Sequence, residues 1–219
     1  MNTSNASSED SEDNARNAGN ARKASNTALL DAAKRGDAGA VRAALGAGAD
    51  VEARDAELRT PLLLAALGDH IEAARALVVA GGDPNAQDAR HDSAWLVTGV
   101  TGSVAMLRVL LPAGPDVTLR NRFGGVSVIP ASERGHVAYV RAVVSETDID
   151  VNHVNDLGWT ALLEAVLLGD GGPAHQQVVK ILLAAGARPD LADADGVTPL
   201  QHAHRRGFEE IAALLKGAQ

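Results

Sequence analysis

The stretch Thr60-Pro-Leu-Leu-Leu-Ala-Ala-Leu-Gly-Asp69 carries the punctuation of a short helix. The Thr60 hydroxyl can cap the helix, and Pro61 sits where a backbone N–H has no partner to lose. The small pair Ala65-Ala66 lets a neighbouring helix come close, and Gly68 supplies a cheap ending. The same wording recurs along the chain. Thr27-Ala-Leu-Leu, Thr60-Pro-Leu-Leu, Ser93-Ala-Trp-Leu, Val126-Ser-Val-Ile, Thr160-Ala-Leu-Leu and Thr198-Pro-Leu-Gln align, with starts 33, 33, 33, 34 and 38 residues apart. Small residues follow each opening: Ala32-Ala33, Thr98-Gly99, Ala131-Ser132, then Ala165 and Ala203. Gly36, Gly102, Gly135, Gly169 and Gly207 share one register position, which unit two fills with Asp69. A second apolar segment in each unit has helical spacing, as in Val104, Leu107, Leu110 and Leu111. It closes on Gly48, Gly81, Gly114 and Gly186. Turns such as Gly82-Asp-Pro-Asn85 then link the units, where Asp and Asn can bond their own backbone.

Self-similarity at this period is the signature of a stacked repeat architecture. The period, the Thr-Pro-Leu openings and the Gly-Ala-Asp turns together resemble the ankyrin-repeat family, over residues 27–219. The resemblance implies an all-α solenoid of stacked helix-turn-helix units with hairpin loops projecting along one edge. A tetratricopeptide array has a similar period but places aromatic residues where these openings stand, and here those are missing.

The departures are local. Leu30, Leu63, Leu96, Ile129, Leu163 and Gln201 stand where the family places a loop-bracing His. The resemblance therefore implies an array held more by apolar contact. Unit four opens on Val126, carries Pro130 early in its first helix and has one extra residue near Thr147–Asp150. Unit five inserts five residues at Gly169-Asp-Gly-Gly-Pro-Ala-His175. Unit six is polar (His202, His204, Arg205, Arg206, Glu209, Glu210), as a solvent-facing cap should be. Residues 1–26, rich in Asn, Ser, Asp and Ala, read as a disordered polar leader whose last few residues pack on unit one.

Composition narrows the function. The 219 residues contain five aromatics and no cysteine, which excludes disulfides, thiolate metal sites and cysteine nucleophiles. The net charge of -8 lacks the basic face that nucleic acid requires. No stretch reaches the length of an apolar membrane span, and no secretory segment is recognised, so the expected setting is the cytoplasm. Arginine (16) far exceeds lysine (4), a bias that fits a GC-rich and bacterial genome.

Chemistry-bearing patterns are weak. His202 and His204 lie two apart on one helix and point in different directions. Gly169-Asp-Gly-Gly-Pro173 lacks the Lys and Ser/Thr of a phosphate loop and reads as a lengthened connection, or a lobe that touches a partner. Asp55, Asp88 and Asp193 recur with the repeat and read as turn formers. Arg42, Arg75, Arg108, Arg141 and Lys180 recur on second helices, as an anion ladder or, better, a solvated outer face. No catalytic, cofactor or metal site is expected.

The resemblance implies instead that a partner protein binds the hairpin tips and the exposed ends of the first helices. Tip positions are Glu57, Arg59, Arg90, Asp92, Arg122, Phe123, Leu157, Trp159, Asp195 and Val197; helix positions are Lys34, Arg35, Glu133, Arg134, Leu167, Leu168, Arg205 and Arg206. Units three to five are favoured, with Arg90, Arg122, Phe123, Arg134, Leu157, Trp159, Leu167 and Leu168 as partner contacts. Phe123 and Trp159 either project to a partner or fold over the neighbouring hairpin; Trp95, Tyr139 and Phe208 read as packing residues. The expectation is a monomeric, non-catalytic binding module. An accessory subunit that stabilises or inhibits an enzyme, or a host-directed effector, are the alternatives.

Overall fold

The computed structural model describes the backbone of residues 6–218 and the side chains of residues 18–218. It contains six antiparallel helix pairs and, among the described residues, no strand. The pairs are α1 (Ala6–Arg35) with α2 (Ala38–Gly46), α3 (Pro61–Leu67) with α4 (Ile71–Val79), and α5 (Ala94–Thr101) with α6 (Val104–Leu110). Then come α7 (Val128–Glu133) with α8 (Val137–Glu146), α9 (Ala161–Leu167) with α10 (Pro173–Ala184), and α11 (Pro199–Arg205) with α12 (Glu209–Lys216). First helices pack in sequence to form one layer, α1 to α11, and second helices form the other, α2 to α12. Leu29, Leu62, Leu63, Trp95, Leu107, Tyr139, Leu162, Leu182 and Ile211 are buried between the layers. Phe208 is half-buried against the same core.

The openings work as their residue types dictate. Thr60, Ser93, Thr160 and Thr198 each accept a hydrogen bond from the backbone N–H three residues on, at 3.1, 3.2, 3.2 and 3.3 Å. Gln201 completes a reciprocal box by accepting from the Thr198 N–H. Two openings differ. Thr27 lies inside α1, where its hydroxyl donates to the Lys23 carbonyl instead of capping. The segment before it contains no proline, and the polar leader is helical from Ala6, with residues 1–5 outside the described residues. Its last turns do meet unit one: Arg22 pairs with Asp50 at 3.0 Å, and the Asp50 N–H donates to Asn26 at 2.8 Å. In unit four, Ser127 precedes α7 in a helical conformation and caps nothing, and α7 has only six residues.

Cross-unit polar bonds stand beside the apolar contact expected in place of the missing histidines. The last carbonyls of a helix have no partner of their own. Here they accept from donors at the start of the next unit's second helix. His70 Nε2 donates to the Lys34 carbonyl at 3.1 Å, His136 Nε2 to Val100 at 3.1 Å, and His175 Nε2 to Glu133 at 2.9 Å. Arg206 does the same to Leu167 and Gly169. The bracing has moved from the opening motif to the turn between the helices.

The five-residue insertion does not form a protruding lobe. Gly171 adopts a left-handed φ of 72°, Asp170 accepts from the Gly172 N–H, and Pro173 starts a twelve-residue α10. The extra residues lengthen the second helix and bring His175 to the bracing position, steadied by Asp170 at 2.8 Å. Asp170 is held below the usual carboxylate range, mainly by the Gly172 N–H and then by His175.

Candidate functional site

Each hairpin tip is shaped by one side chain. Asp55, Asp88, Asn121, Asn155 and Asp193 each accept from the backbone N–H groups two and four residues on, through a single oxygen. The same bonding pattern at every unit explains why these residues recur, as turn formers. It also fixes where the residues between them point. Neighbouring tips are tied together: the Ala89 N–H donates to the Glu57 carbonyl, and the Asp156 N–H to that of Phe123. Gln87 bridges further, donating to the His91 and Arg120 carbonyls at 2.8 Å each.

Between these tips and the first helices runs a groove of about 360 Å³. It spans units two to five. Its apolar wall consists of Leu67, Val100, Phe123, Leu157 and Leu168, each 40–52% exposed. Six of the eight anticipated contacts line it: Arg90, Arg122, Phe123, Arg134, Leu157 and Leu168. The other two do not. Trp159 is half-buried on its tip, and Leu167 is half-buried and offers its carbonyl to Arg206. The two tip aromatics thus part ways: Phe123 stands in the groove wall, 48% exposed, and Trp159 is half-buried outside the groove lining.

The charges in the groove are mostly spoken for. Arg122 lies over the Phe123 ring at 4.5 Å and approaches Asp92 at 3.6 Å. Burial, then the Asp88 carboxylate, raises the Asp92 carboxyl above its usual range, against the pull of Arg122 and Arg90. Arg134 bonds Glu133 at 2.6 Å and the Pro130 carbonyl at 3.2 Å.

Sequence reasoning missed Glu164. It sits in the first turn of α9, 6% exposed, on the groove floor. Its Oε1 accepts from Asn155 Nδ2 at 2.8 Å, the one hydrogen bond its side chain makes among the described residues. Burial, then the nearby Glu133, pushes its carboxyl up to about 7, although Asn155 and Arg134 pull the other way. A repeat comparison holds the available signal. The same register position is Leu64, Val97 and Pro130 in units two to four, while the end units carry an exposed Asp31 and a half-buried His202, so a buried carboxyl in an internal unit is a departure. Leu67 and Val100 were also missed, although they share the register of Glu133 and Leu167.

The outer face shows the recurrent cations in a solvated setting. Arg75 approaches Glu72 at 3.7 Å and Arg108 pairs with Glu146 at 2.8 Å, while Arg42, Arg141 and Lys180 are exposed. The terminal histidines are not gathered into one site. His202 bonds Asp193 at 2.6 Å, His204 is exposed, and His175 is engaged by Asp170 and Glu133. Among the described residues no helix is long and apolar enough to cross a membrane.

Comparison with known proteins agrees with this architecture. The family described as ankyrin repeats (three copies) matches residues 9–88 and 95–193. An ankyrin repeat domain from Acinetobacter baumannii AYE superposes with a TM-score of 0.83 at 47% identity, covering 87% of this chain and 96% of that one. The ankyrin repeat protein EF0377 superposes with a TM-score of 0.84 at 36% identity, covering 87% and 97%. A putative ankyrin repeat protein of Escherichia coli K12, YahD, is 53% identical over 97 residues, 44% of this chain and 48% of that protein. The chain thus spans about half the length of that curated relative. Proteins with such repeats are generally non-catalytic modules that bind other proteins. On its repeats, its helix pairs and these matches, the chain belongs to the ankyrin-repeat family.

Proposed function

We propose that the protein binds a partner protein through the groove of units two to five, as a monomeric, non-catalytic module acting in the cytoplasm. The observation that carries this reading is the apolar wall. Five large apolar side chains, 40–52% exposed, border one groove on a chain whose other large side chains are mostly inside. Contiguous exposed apolar surface rimmed by polar groups is a mark of interaction sites. The tips that present it are fixed by their Asp and Asn turn bonds and by tip-to-tip backbone bonds. A rigid wall of this kind meets little ordering cost on binding.

Affinity capture from the native host's lysate tests this, with the wild type beside a Phe123→Ala, Leu157→Ala double variant. Both are exposed, so the variant keeps its fold, which circular dichroism verifies. The expected result is one protein enriched on the wild type and reduced on the variant by about tenfold or more, the scale of losing one central hot-spot side chain. Equal enrichment on both would move the site elsewhere on the array.

A further inference from the structure

Glu164 is the one feature of the groove that packing does not explain. In units two to four its register position holds Leu64, Val97 and Pro130, so the fold is satisfied there by an apolar side chain. A carboxyl is costly at such a place unless something pairs with it. Among the described residues it has one neutral hydrogen bond, from Asn155, and its second oxygen makes none. The cations around it are taken: Arg134 bonds Glu133, and Arg122 is placed over Phe123 beside Asp92. The groove thus offers an apolar wall and, on its floor, a carboxyl with spare hydrogen-bonding capacity.

We infer that the groove takes an extended peptide segment of the partner in which one lysine or arginine, flanked by apolar residues, reaches the Glu164 carboxylate. The inference rests on the groove being the partner face. The long aliphatic stem of such a residue lies against the apolar wall while its head meets the carboxylate. A polybasic tract is disfavoured, because Arg90, exposed on the rim and without an ion pair among the described residues, repels further positive charge. An acidic segment is disfavoured by Glu164 itself. The inserted cation supplies the partner that burial denies this carboxylate, which makes the contact selective as well as attractive.

The test uses the full chain and five labelled seven-residue peptides. They share valine and leucine around a central position that is lysine, arginine, norleucine, glutamine or glutamate, and fluorescence anisotropy reads their binding. The expected result on the wild type is that the lysine and arginine peptides bind about tenfold tighter than the norleucine peptide, the scale of one close charge pair. Glu164→Gln keeps the volume and the Asn155 bond, and is expected to erase that difference. Phe123→Ala, Leu157→Ala is expected to weaken every peptide alike and keep the ratio. Norleucine or glutamate binding as well as lysine to the wild type overturns the inference. So does a lysine advantage that survives Glu164→Gln, or no binding by any peptide. None of these outcomes touches the groove reading, which the capture experiment decides by itself.

Discussion

Units two and four hold equivalent places in the stack and reach them by different means. In unit two Thr60 caps, Pro61 occupies the first helical position, and α3 runs to Leu67. In unit four Ser127 has already turned helical without capping, and α7 is shorter and contains Pro130. Its backbone lies against α5, where the Ser127 carbonyl comes so close to Gly99 that a Cβ there would lie 1.9 Å from it. Units one and two carry alanine at that position, Ala33 and Ala66. The irregular opening of unit four is therefore absorbed by a glycine in unit three. Irregularity in a repeat array is shared between neighbours, because each unit's packing surface is the other's.

The largest effect should come from breaking that arrangement. Gly99→Ala must displace either α5 or the backbone of unit four, and overpacking of this kind costs about 3 kcal/mol. Gly46→Ala, with nothing within 4 Å, should be neutral or gain up to about 1 kcal/mol. Urea denaturation of the two variants checks this; equal midpoints would mean that units three and four are not in this contact.

The next effect concerns Glu164 and depends on pH. The folded carboxyl is raised to about 7, above its unfolded value. Between the two values the fold holds a proton that the unfolded chain has lost, so this group's contribution falls as pH rises through that window and stays low above it. Glu164→Gln removes the cost. With allowance for the solvent that reaches the groove, the variant should gain about 2 kcal/mol at pH 8 and much less at pH 5. Thermal melts at the two values measure it. The same variant should lose the lysine preference, an exchange of function for stability.

The contrast between units also shows what a sequence can reveal. Thr60, Ser93, Thr160 and Thr198 were legible as caps because a cap is a local requirement with few residue solutions. Thr27 has the same spelling and a different role, since only the unbroken helix before it distinguishes a cap from an interior residue. Phe123, Leu157 and Leu168 were legible by register. Leu67 and Val100 were not, because an apolar residue ending a first helix reads as core until the tip opposite is placed. Nothing in the local sequence singles out Glu164. Its burial comes from α7 and from Asn155 on the hairpin before α9, which no local pattern contains. The bracing role of His70, His136 and His175 has no local signature, since their acceptors lie 36 to 42 residues away.

The smallest effects compare the two openings directly. Thr60→Ala removes a formed cap and leaves the Leu63 N–H unpaired in a buried place, which should cost about 1 kcal/mol. Ser127→Ala removes an oxygen that caps nothing. Its hydroxyl lies beside that of Tyr139 without a formed hydrogen bond, while the Tyr139 hydroxyl is joined to Thr98 at 2.7 Å. Burial pushes the Tyr139 hydroxyl up to about 12, so it stays protonated and keeps that bond with or without Ser127. Deleting a buried oxygen that lacks a partner is close to neutral, so Ser127→Ala should fall within about 0.5 kcal/mol of the wild type. Parallel urea titrations decide. A loss at Ser127 as large as that at Thr60 would mean that unit four depends on its serine after all, through Tyr139. A loss at Thr60 alone would show that unit four is held by the tight contact at Gly99 and needs no cap.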